Sequence, residues 1–133
     1  NKYISIVKAA KDQILKNVGV AYIDLNGLKA INDNYGHSKG DKFICTAADT
    51  FKMVFPDNSY RVGGDEFVII EQNIERDKYE ERITALKNIM QDKQVSISIG
   101  VLWREYVDDL EELLKAADKL MYMEKEMYHK NRE

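Results

Sequence analysis

The sequence predicts an α+β fold, in which helices flank a central, mainly antiparallel β-sheet of the split βαβ kind. Segments with helical and with strand periodicity follow one another in the order α-β-α-α-β-β-α-β-α. Two short strand segments, at residues 59–62 and 66–71, are joined by a glycine-rich turn, which indicates a β-hairpin. The first strand segment is apolar along nearly its whole length, as is typical of a central strand covered on both faces.

The composition is that of one globular domain, which we place over residues 1–133. Apolar residues make up 44% of the 133 residues and charged residues 32%, which is ordinary for a soluble protein with its own core. A net charge of −3 and the lack of a dense basic cluster argue against a nucleic-acid partner. No apolar run is long enough to span a membrane, and the single cysteine fits a reducing compartment. We therefore expect a cytoplasmic domain that makes no membrane contact itself.

The first segments of the chain are a helix, a strand and a short second helix. Residues 2–17 carry apolar side chains at helical spacing, and residues 19–23 form the first strand. Asn26 is a good N-cap residue, so the second helix is predicted to begin at Gly27. Because the chain starts directly in a helix, we expect it to be a fragment of a larger parent protein. That parent protein could be membrane-anchored.

The remaining segments complete the pattern. Residues 34–41 have the composition of a turn, and a longer helix then runs to about Phe55, where Pro56 ends it. The hairpin follows, with a two-residue turn at Gly63-Gly64 that needs positive φ angles. The last segments are a helix with apolar positions from Tyr79 to Met90, a strand over residues 94–102, and a helix from Leu110 that continues as a charged tail.

Acidic residues stand where two of these strands meet turns. Asp24 ends the first strand, and Asp65 and Glu66 follow the paired glycines of the hairpin. Acids at the mouth of an apolar hairpin repel one another unless a cation or a proton neutralises them. Hard cations such as Mg²⁺ prefer carboxylate and carbonyl oxygens, so these residues predict a metal site.

An anion site is predicted beside this metal site. The backbone N–H groups at the start of the helix near Gly27 can hold phosphate oxygens, because a helix N-terminus carries partial positive charge. Lys29, in the first turn of that helix, adds a point charge. A triphosphate that carries Mg²⁺ would suit this pairing.

Four segments together resemble the GGDEF domain, the family of diguanylate cyclases. They read DLNGLKAINDNYGHSKGD at 24–41, RVGGDEF at 61–67, VSISIGV at 95–101 and ADKLMY at 117–122. The resemblance covers nearly the whole chain, with the four segments in the family's order. It implies a nucleotidyl-cyclase or palm-like fold with a ferredoxin-like core, in a signalling protein that also carries an upstream sensor domain.

The resemblance also implies an activity. Diguanylate cyclases condense two GTP molecules into cyclic di-GMP and release pyrophosphate. Each domain binds one GTP, and two domains meet head to head as a transient homodimer, so that each 3′-hydroxyl attacks the α-phosphorus of the other nucleotide. The partners expected are therefore GTP and a second copy of the domain.

Site roles carry over by position in the motifs. Asp24, the carbonyl group of Leu25 and Asp65 would hold Mg²⁺ or Mn²⁺, with Glu66 as a further acid, and Asp65 would accept the hydroxyl proton. Lys29 matches the lysine that steadies the phosphates. The residues expected to be catalytic are Asp65, Glu66 and Lys29, and those expected to bind substrate are Asn32 and Asp41 at the guanine, with Gly27, Leu28, Lys125, Gly63 and Gly64.

Departures from the family pattern occur at three places. The Asp-x-Leu-Thr-Gly-Leu segment that usually precedes the family's first helix is absent, as we expect of a domain cut from a longer protein. The family's Arg-x-x-Asp product-inhibition site corresponds to Val54 and Asp57, so the arginine of its bidentate clamp is missing and no feedback inhibition is expected there. In the last helix, His129 stands where the family has an arginine near the phosphates, although Lys130 and Arg132 follow closely.

Two other functions remain open on the sequence alone. A degenerate GGDEF domain would bind GTP or a protein partner and regulate a neighbour without turnover, and His129 is the feature that favours it. A polymerase-like palm with a two-metal site is disfavoured by the acidic charge and the lack of basic grooves.

Overall fold

The structure, a computed structural model, describes residues 2–131. The element order matches the predicted one throughout. The elements are α1 (Lys2–Ala9), β1 (Leu15–Leu25), α2 (Leu28–Tyr35), α3 (His37–Val54), β2 (Ser59–Arg61), β3 (Glu66–Glu71), α4 (Arg76–Asp92), β4 (Ile97–Val107) and α5 (Leu110–Asn131). Within the described range, none of the helices combines the length and the apolar character needed to cross a bilayer.

The four strands form one sheet in the order β2-β3-β1-β4, and every neighbouring pair is antiparallel. This is the strand order of a ferredoxin-like, split βαβ core, so the predicted fold is confirmed. The register places Asp24 opposite Glu66 on one side and opposite Ser98 on the other. The acidic end of the central strand therefore lies between β3 and β4.

Both faces of the sheet are covered, which explains the unbroken apolar run of β1. Ala21 and Ile23 pack on the side of α3 and α4, with Phe51 and Tyr79 among their neighbours in that cluster. Val18 and Val20 point the other way and pack with Ala10 and with residues of α5. Alternate side chains of a strand point to opposite faces, so the part of a strand that is covered on both faces is apolar at successive positions, as in residues 18–23.

The apolar faces predicted for the two longer central helices are confirmed. The face of α3 contains fully buried residues flanked by partly buried ones, and the face of α4 is buried at all four predicted positions. The residues concerned are Ala47, Phe51 and Phe55 with Phe43, Ile44 and Ala48 beside them, and then Tyr79, Ile83, Leu86 and Met90.

The predicted N-terminal helix is wrong beyond Ala9. The backbone adopts a left-handed conformation at Asp12, with φ of 63°, and β1 begins at Leu15, which pairs with Val107. Both β1 and β4 continue beyond their apolar central segments, because the backbone N–H and carbonyl groups of each strand are hydrogen-bonded by the other. Trp103 consequently lies inside β4 rather than at its end, and its indole N–H donates to the carbonyl oxygen of Ile74 over 2.9 Å.

The start of α2 and the turn after it also differ from the prediction. The N-cap is Gly27, with φ of 78°, and the side chain of Asn26 makes no capping hydrogen bond. α3 begins at His37, so the predicted turn over residues 34–41 is reduced to Gly36, with φ of 88°. Gly36 serves both helices, since its N–H donates to Asn32 and its carbonyl oxygen accepts from Gly40.

The hairpin turn is longer than predicted. β2 ends at Arg61 and β3 begins at Glu66, and the N–H groups of Val62 and Gly63 both donate to the carbonyl oxygen of Glu66. Gly63 and Gly64 do not have positive φ angles, unlike Gly27 and Gly36. The expectation of a two-residue turn is therefore wrong, because a four-residue loop reverses the chain without those angles.

Candidate functional site

A cavity of about 390 Å³ lies where the end of β1, the start of α2 and the C-terminal half of α5 meet. Six of the predicted site residues line it: Leu25, Gly27, Leu28, Lys29, Asp65 and Lys125. A second cavity, of about 460 Å³, lies between α4, β4 and α5 and is lined by none of the predicted residues. The first cavity is therefore the candidate site.

Asp24 is the buried acid of this site. Only 1% of the residue is exposed, and its Oδ2 accepts a hydrogen bond from the Lys125 ammonium over 2.6 Å. Its Oδ1 is buried and has no hydrogen-bond partner. Burial raises the pKa of Asp24, the ion pair with Lys125 opposes this, and the nearby Asp65 carboxylate raises it further. A buried carboxylate with an unused oxygen fits a ligand for a hard cation.

The hairpin brings two further acids to Asp24. The N–H of Leu25 donates to the carbonyl oxygen of Asp65 over 2.9 Å, which joins the end of β1 to the hairpin loop. Burial raises the pKa of Glu66, and the charges of Asp24, Asp118 and Asp65 add to this effect. Among residues 2–131, no group of three or more histidine, cysteine, aspartate or glutamate side chains is placed so that it could hold a metal ion by itself. A metal bound at Asp24 would need a carbonyl group, phosphate oxygens or water to complete its coordination.

Asn26 fixes the turn between β1 and α2. Its side-chain Nδ2 donates to the hydroxyl group of Ser96 over 3.0 Å, and its Oδ1 accepts from the hydroxyl group of Ser98 over 2.8 Å. Its backbone N–H donates to the carbonyl oxygen of Ser96 over 2.9 Å. This role of Asn26 was not predicted from the sequence. Two serines at alternate positions of an otherwise apolar strand could have indicated a polar partner for that strand.

The start of α2 forms one wall of the cavity. Gly27 has φ of 78°, and a Cβ atom there would lie 3.3 Å from the hydroxyl group of Tyr128, so both the backbone and the space favour glycine. The first N–H groups of a helix have no partner within it, and here they belong to a segment that lines the cavity. Lys29 is exposed on the same wall. This wall can therefore hold an anion.

The two residues predicted to read guanine lie on α2 and α3, which pack against each other. The Asn32 carboxamide lies directly against Gly40, where any Cβ atom would overlap it. Asp41 is exposed and follows Gly40 in the first turns of α3. Neither residue lines the cavity beside Asp24. The candidate site thus has a separate second end, on the helix pair.

The hairpin glycines are held by a residue to which the sequence analysis gave no role. The Arg61 guanidinium group donates from Nε to the carbonyl oxygens of Gly63 and Gly64, each over 3.2 Å, and from Nη2 to that of Gly64 over 2.6 Å. The glycines do not line the cavity, although the Glu66 side chain approaches Gly63. Arg61 therefore shapes the loop that presents the acids.

Aromatic rings stand at the end of the cavity where the family has an arginine. Tyr128 and His129 both line the cavity, and their rings meet edge to face with centroids 5.4 Å apart. Tyr128 was not predicted. Lys130 is exposed in the last turn of α5, and Arg132 lies outside the described residues.

The chain resembles characterised proteins over most of its length. The family model described as "Diguanylate cyclase, GGDEF domain" matches residues 4–131. The signalling protein YkoW of Bacillus subtilis is 38% identical over 124 residues, which is 83% of this chain and 15% of that protein. The diguanylate cyclase DgcS of Shewanella oneidensis is 34% identical over 116 residues, which is 82% of this chain and 39% of that protein.

Solved structures agree with the fold. The active GGEEF domain of a diguanylate cyclase from Vibrio cholerae superposes with a TM-score of 0.70 at 25% identity, over 81% of this chain and 76% of that one. The two curated relatives are much longer than the chain, which spans only 15% and 39% of their lengths.

Proposed function

The chain belongs to the GGDEF domain family, and from that premise we propose that it is a diguanylate cyclase domain, which condenses two GTP molecules into cyclic di-GMP and pyrophosphate. The observation that supports this most directly is the buried, half-paired carboxylate of Asp24, beside Asp65 and Glu66. Asp24 does not line the cavity itself, but its ion-pair partner Lys125 does, together with Asp65 and Lys29. We also propose that residues 1–133 are one domain of a longer signalling protein with an upstream sensor, in keeping with the greater length of the relatives.

The family generally needs a divalent metal, and we assign its site to the acidic end of the cavity. Asp24, the Leu25 carbonyl group and Asp65 would hold Mg²⁺ or Mn²⁺, with Glu66 as the further acid. Such an ion would supply positive charge against the charge that develops on the phosphates. The burial that raises the pKa of Asp24 and Glu66 keeps water from screening these interactions.

The triphosphate would lie along the start of α2. The N–H groups of Gly27 and Leu28 would bind phosphate oxygens, and Lys29 and Lys125 would add their charges from the cavity walls. These positive groups would oppose the negative charge that builds at phosphorus during transfer, which is the main source of rate acceleration in such reactions.

Guanine would lie at the second end of the site. A carboxylate at Asp41 can accept from the N1–H and 2-amino groups of guanine, and the amide of Asn32 can donate to its ring. Adenine lacks this donor pair, so the pairing selects GTP over ATP.

Bond formation needs two copies of the domain. The groups assigned above bind one triphosphate and one base, which is one GTP molecule per domain. The attacking 3′-hydroxyl group must therefore come from the GTP of a second domain. Asp65 would accept the proton of that hydroxyl group as it attacks the α-phosphorus, and pyrophosphate would leave. The initial rate should therefore rise faster than linearly with protein concentration. A strictly linear dependence would exclude the two-domain mechanism.

The test is incubation of concentrated protein with GTP and Mg²⁺, with the product identified by chromatography. Single Asp65→Ala and Glu66→Ala variants serve as controls, because they remove the acids and leave the apolar strands intact. Cyclic di-GMP from the native protein and none from the controls is the expected result. Nucleotide hydrolysis without cyclic di-GMP would contradict the proposal.

A second candidate function is a regulatory GTP-binding domain without turnover. The observation that favours it is the pair Tyr128 and His129, which lines the cavity where an arginine is expected to grip phosphate. Mg²⁺-dependent binding of GTP with no product from the native protein would support this alternative. Binding of neither GTP nor metal would contradict both functions.

A further inference from the structure

We propose that Lys125 is the internal counter-cation of the metal site: its ammonium group holds the Asp24 carboxylate in the nucleotide-free domain and must leave when a divalent cation binds. Metal entry and the release of Lys125 toward the phosphates would then be one coupled event. This inference rests on the proposed role of Asp24 as a metal ligand.

The contact between the two side chains is the first support. The side chain of Asp24 is 1% exposed, whereas that of Lys125 is 34% exposed. The distance between Lys125 Nζ and Asp24 Oδ2 is 2.6 Å. A buried carboxylate without a counter-charge is strongly unfavourable, so the lysine stabilises the Asp24 carboxylate. The hydrogen bond to Asp24 raises the pKa of Lys125, which keeps the ammonium group charged.

Repulsion between two cations at the same carboxylate group is the second support. Oδ2 is taken by the ammonium group, and only the buried Oδ1 is unused. A divalent ion bound to Asp24 would stand within a few ångströms of the ammonium group, where like charges repel strongly in a poorly solvated place. The surrounding acids, Asp65 and Glu66, attract either cation, so the carboxylates that hold the ammonium group can also hold a divalent ion in its place.

The position of Lys125 gives the released side chain somewhere to go. Lys125 lies on α5 and lines the same cavity as Gly27 and Lys29 at the start of α2. Rotation about its four-carbon side chain moves the ammonium group from the buried acid into the cavity, where phosphate oxygens would be its next partner. Phosphate oxygens of the nucleotide would thus replace the Asp24 carboxylate as the partner of Lys125. Binding of the metal should therefore raise the affinity for the nucleotide, and binding of the nucleotide should raise the affinity for the metal.

The test measures metal binding directly, without turnover. Nucleotide-free native protein and the variants Lys125→Met and Lys125→Gln are titrated with Mn²⁺ at pH 8, and free Mn²⁺ is followed by electron paramagnetic resonance. We expect both variants to bind Mn²⁺ about tenfold more tightly than the native protein, or more, which is the lower end of what one adjacent opposite charge does to the proton affinity of a carboxylate. Lys119→Met, which removes an exposed lysine of the same helix, should leave the affinity unchanged.

Two further readouts separate this role from a simple phosphate contact. Affinity for a non-hydrolysable GTP analogue should fall in the Lys125 variants while their Mn²⁺ affinity rises, and Mn²⁺ should raise their unfolding temperature more than that of the native protein. An unchanged or lower Mn²⁺ affinity in folded Lys125 variants would overturn the inference.

The failure of the inference and that of the proposed function give different results. If the native protein makes cyclic di-GMP but Lys125 variants bind Mn²⁺ no better, only the lysine exchange is wrong. If no product forms and neither the native protein nor any variant binds Mn²⁺, the metal site itself is wrong and the inference is overturned with it.

Discussion

The two ends of the candidate site are built in opposite ways. The end at Asp24 and Asn26 is part of the buried sheet, where β1 is held between β3 and β4. The end at Asn32 and Asp41 lies on α2 and α3, and α2 has no fully buried residue in its eight positions. One end is fixed by the core of the fold, and the other is a surface that two helices carry.

With the roles proposed above, this difference would separate the residues of the reaction from those that select the base. Substitutions at the buried end should alter metal binding, turnover and stability together, because its polar groups have partners that cannot be replaced by water. Substitutions at the exposed end should alter the choice of base with little effect on stability, since a solvated side chain is easily exchanged.

The largest effect is expected from Asp24→Asn. The amide keeps the size of the side chain but loses the charge that would bind metal, so cyclase activity should fall by at least about 10²–10³-fold, the effect of removing one strong electrostatic group from an active site. Production of cyclic di-GMP under saturating GTP and Mg²⁺ measures it. Asp49→Asn, at an exposed position of α3, is the matched control and should retain activity. Near-native activity of Asp24→Asn would mean that the buried end does not carry the chemistry.

A smaller effect at the same end is expected from Ser98→Ala. The change leaves the buried Oδ1 of Asn26 without its donor, which costs about 1–3 kcal/mol of folding free energy. Ser96→Ala removes the hydroxyl group at the exposed side of the same network and should cost clearly less. Chemical denaturation of both variants measures the difference. Equal losses would show that burial is not what distinguishes the two serines.

At the exposed end, Asp41→Ser should relax the choice of base. The ratio of kcat/KM for GTP to that for ATP should fall by about 10- to 100-fold, which corresponds to losing hydrogen bonds to a charged group. The unfolding temperature should stay within about 2 °C of the native value, because an exposed substitution seldom changes stability by more than about 0.5 kcal/mol. An unchanged preference for GTP would show that Asp41 does not contact the base. A large loss of stability would show that the exposed end, like the buried end, contributes to the stability of the fold.

The smallest effect is expected away from both ends, at Val54 and Asp57. Excess cyclic di-GMP should not lower the initial rate of the native protein by binding at this position, because valine cannot form the bidentate hydrogen bonds to guanine or phosphate that arginine forms. Rate measurements with added product test this. Strong inhibition that persists in Asp57→Ala would place a product site elsewhere on the domain, whereas inhibition that Asp57→Ala removes would contradict the prediction.

The element order was predictable because helical and strand periodicity are local properties of the chain. The faces of α3 and α4, the covered central strand and the hairpin could be read from the spacing of apolar side chains. The limits of the elements could not. The long pairing of β1 with β4 depends on hydrogen bonds between segments about 90 residues apart, as at Leu15 and Val107.

The candidate site divides in the same way. The sequence alone predicted the acids, Lys29 and the glycine-bearing turn before α2, because each stands where a strand ends or a helix begins, and it predicted Lys125 through the family resemblance. Only the tertiary structure decided that Asp24 is buried with one free oxygen, that Lys125, 101 residues later, pairs with the other, and that Asn26 binds two serines instead of capping a helix. Burial and pairing are set by which segments pack together, and that is a property of the whole fold rather than of any stretch of the chain.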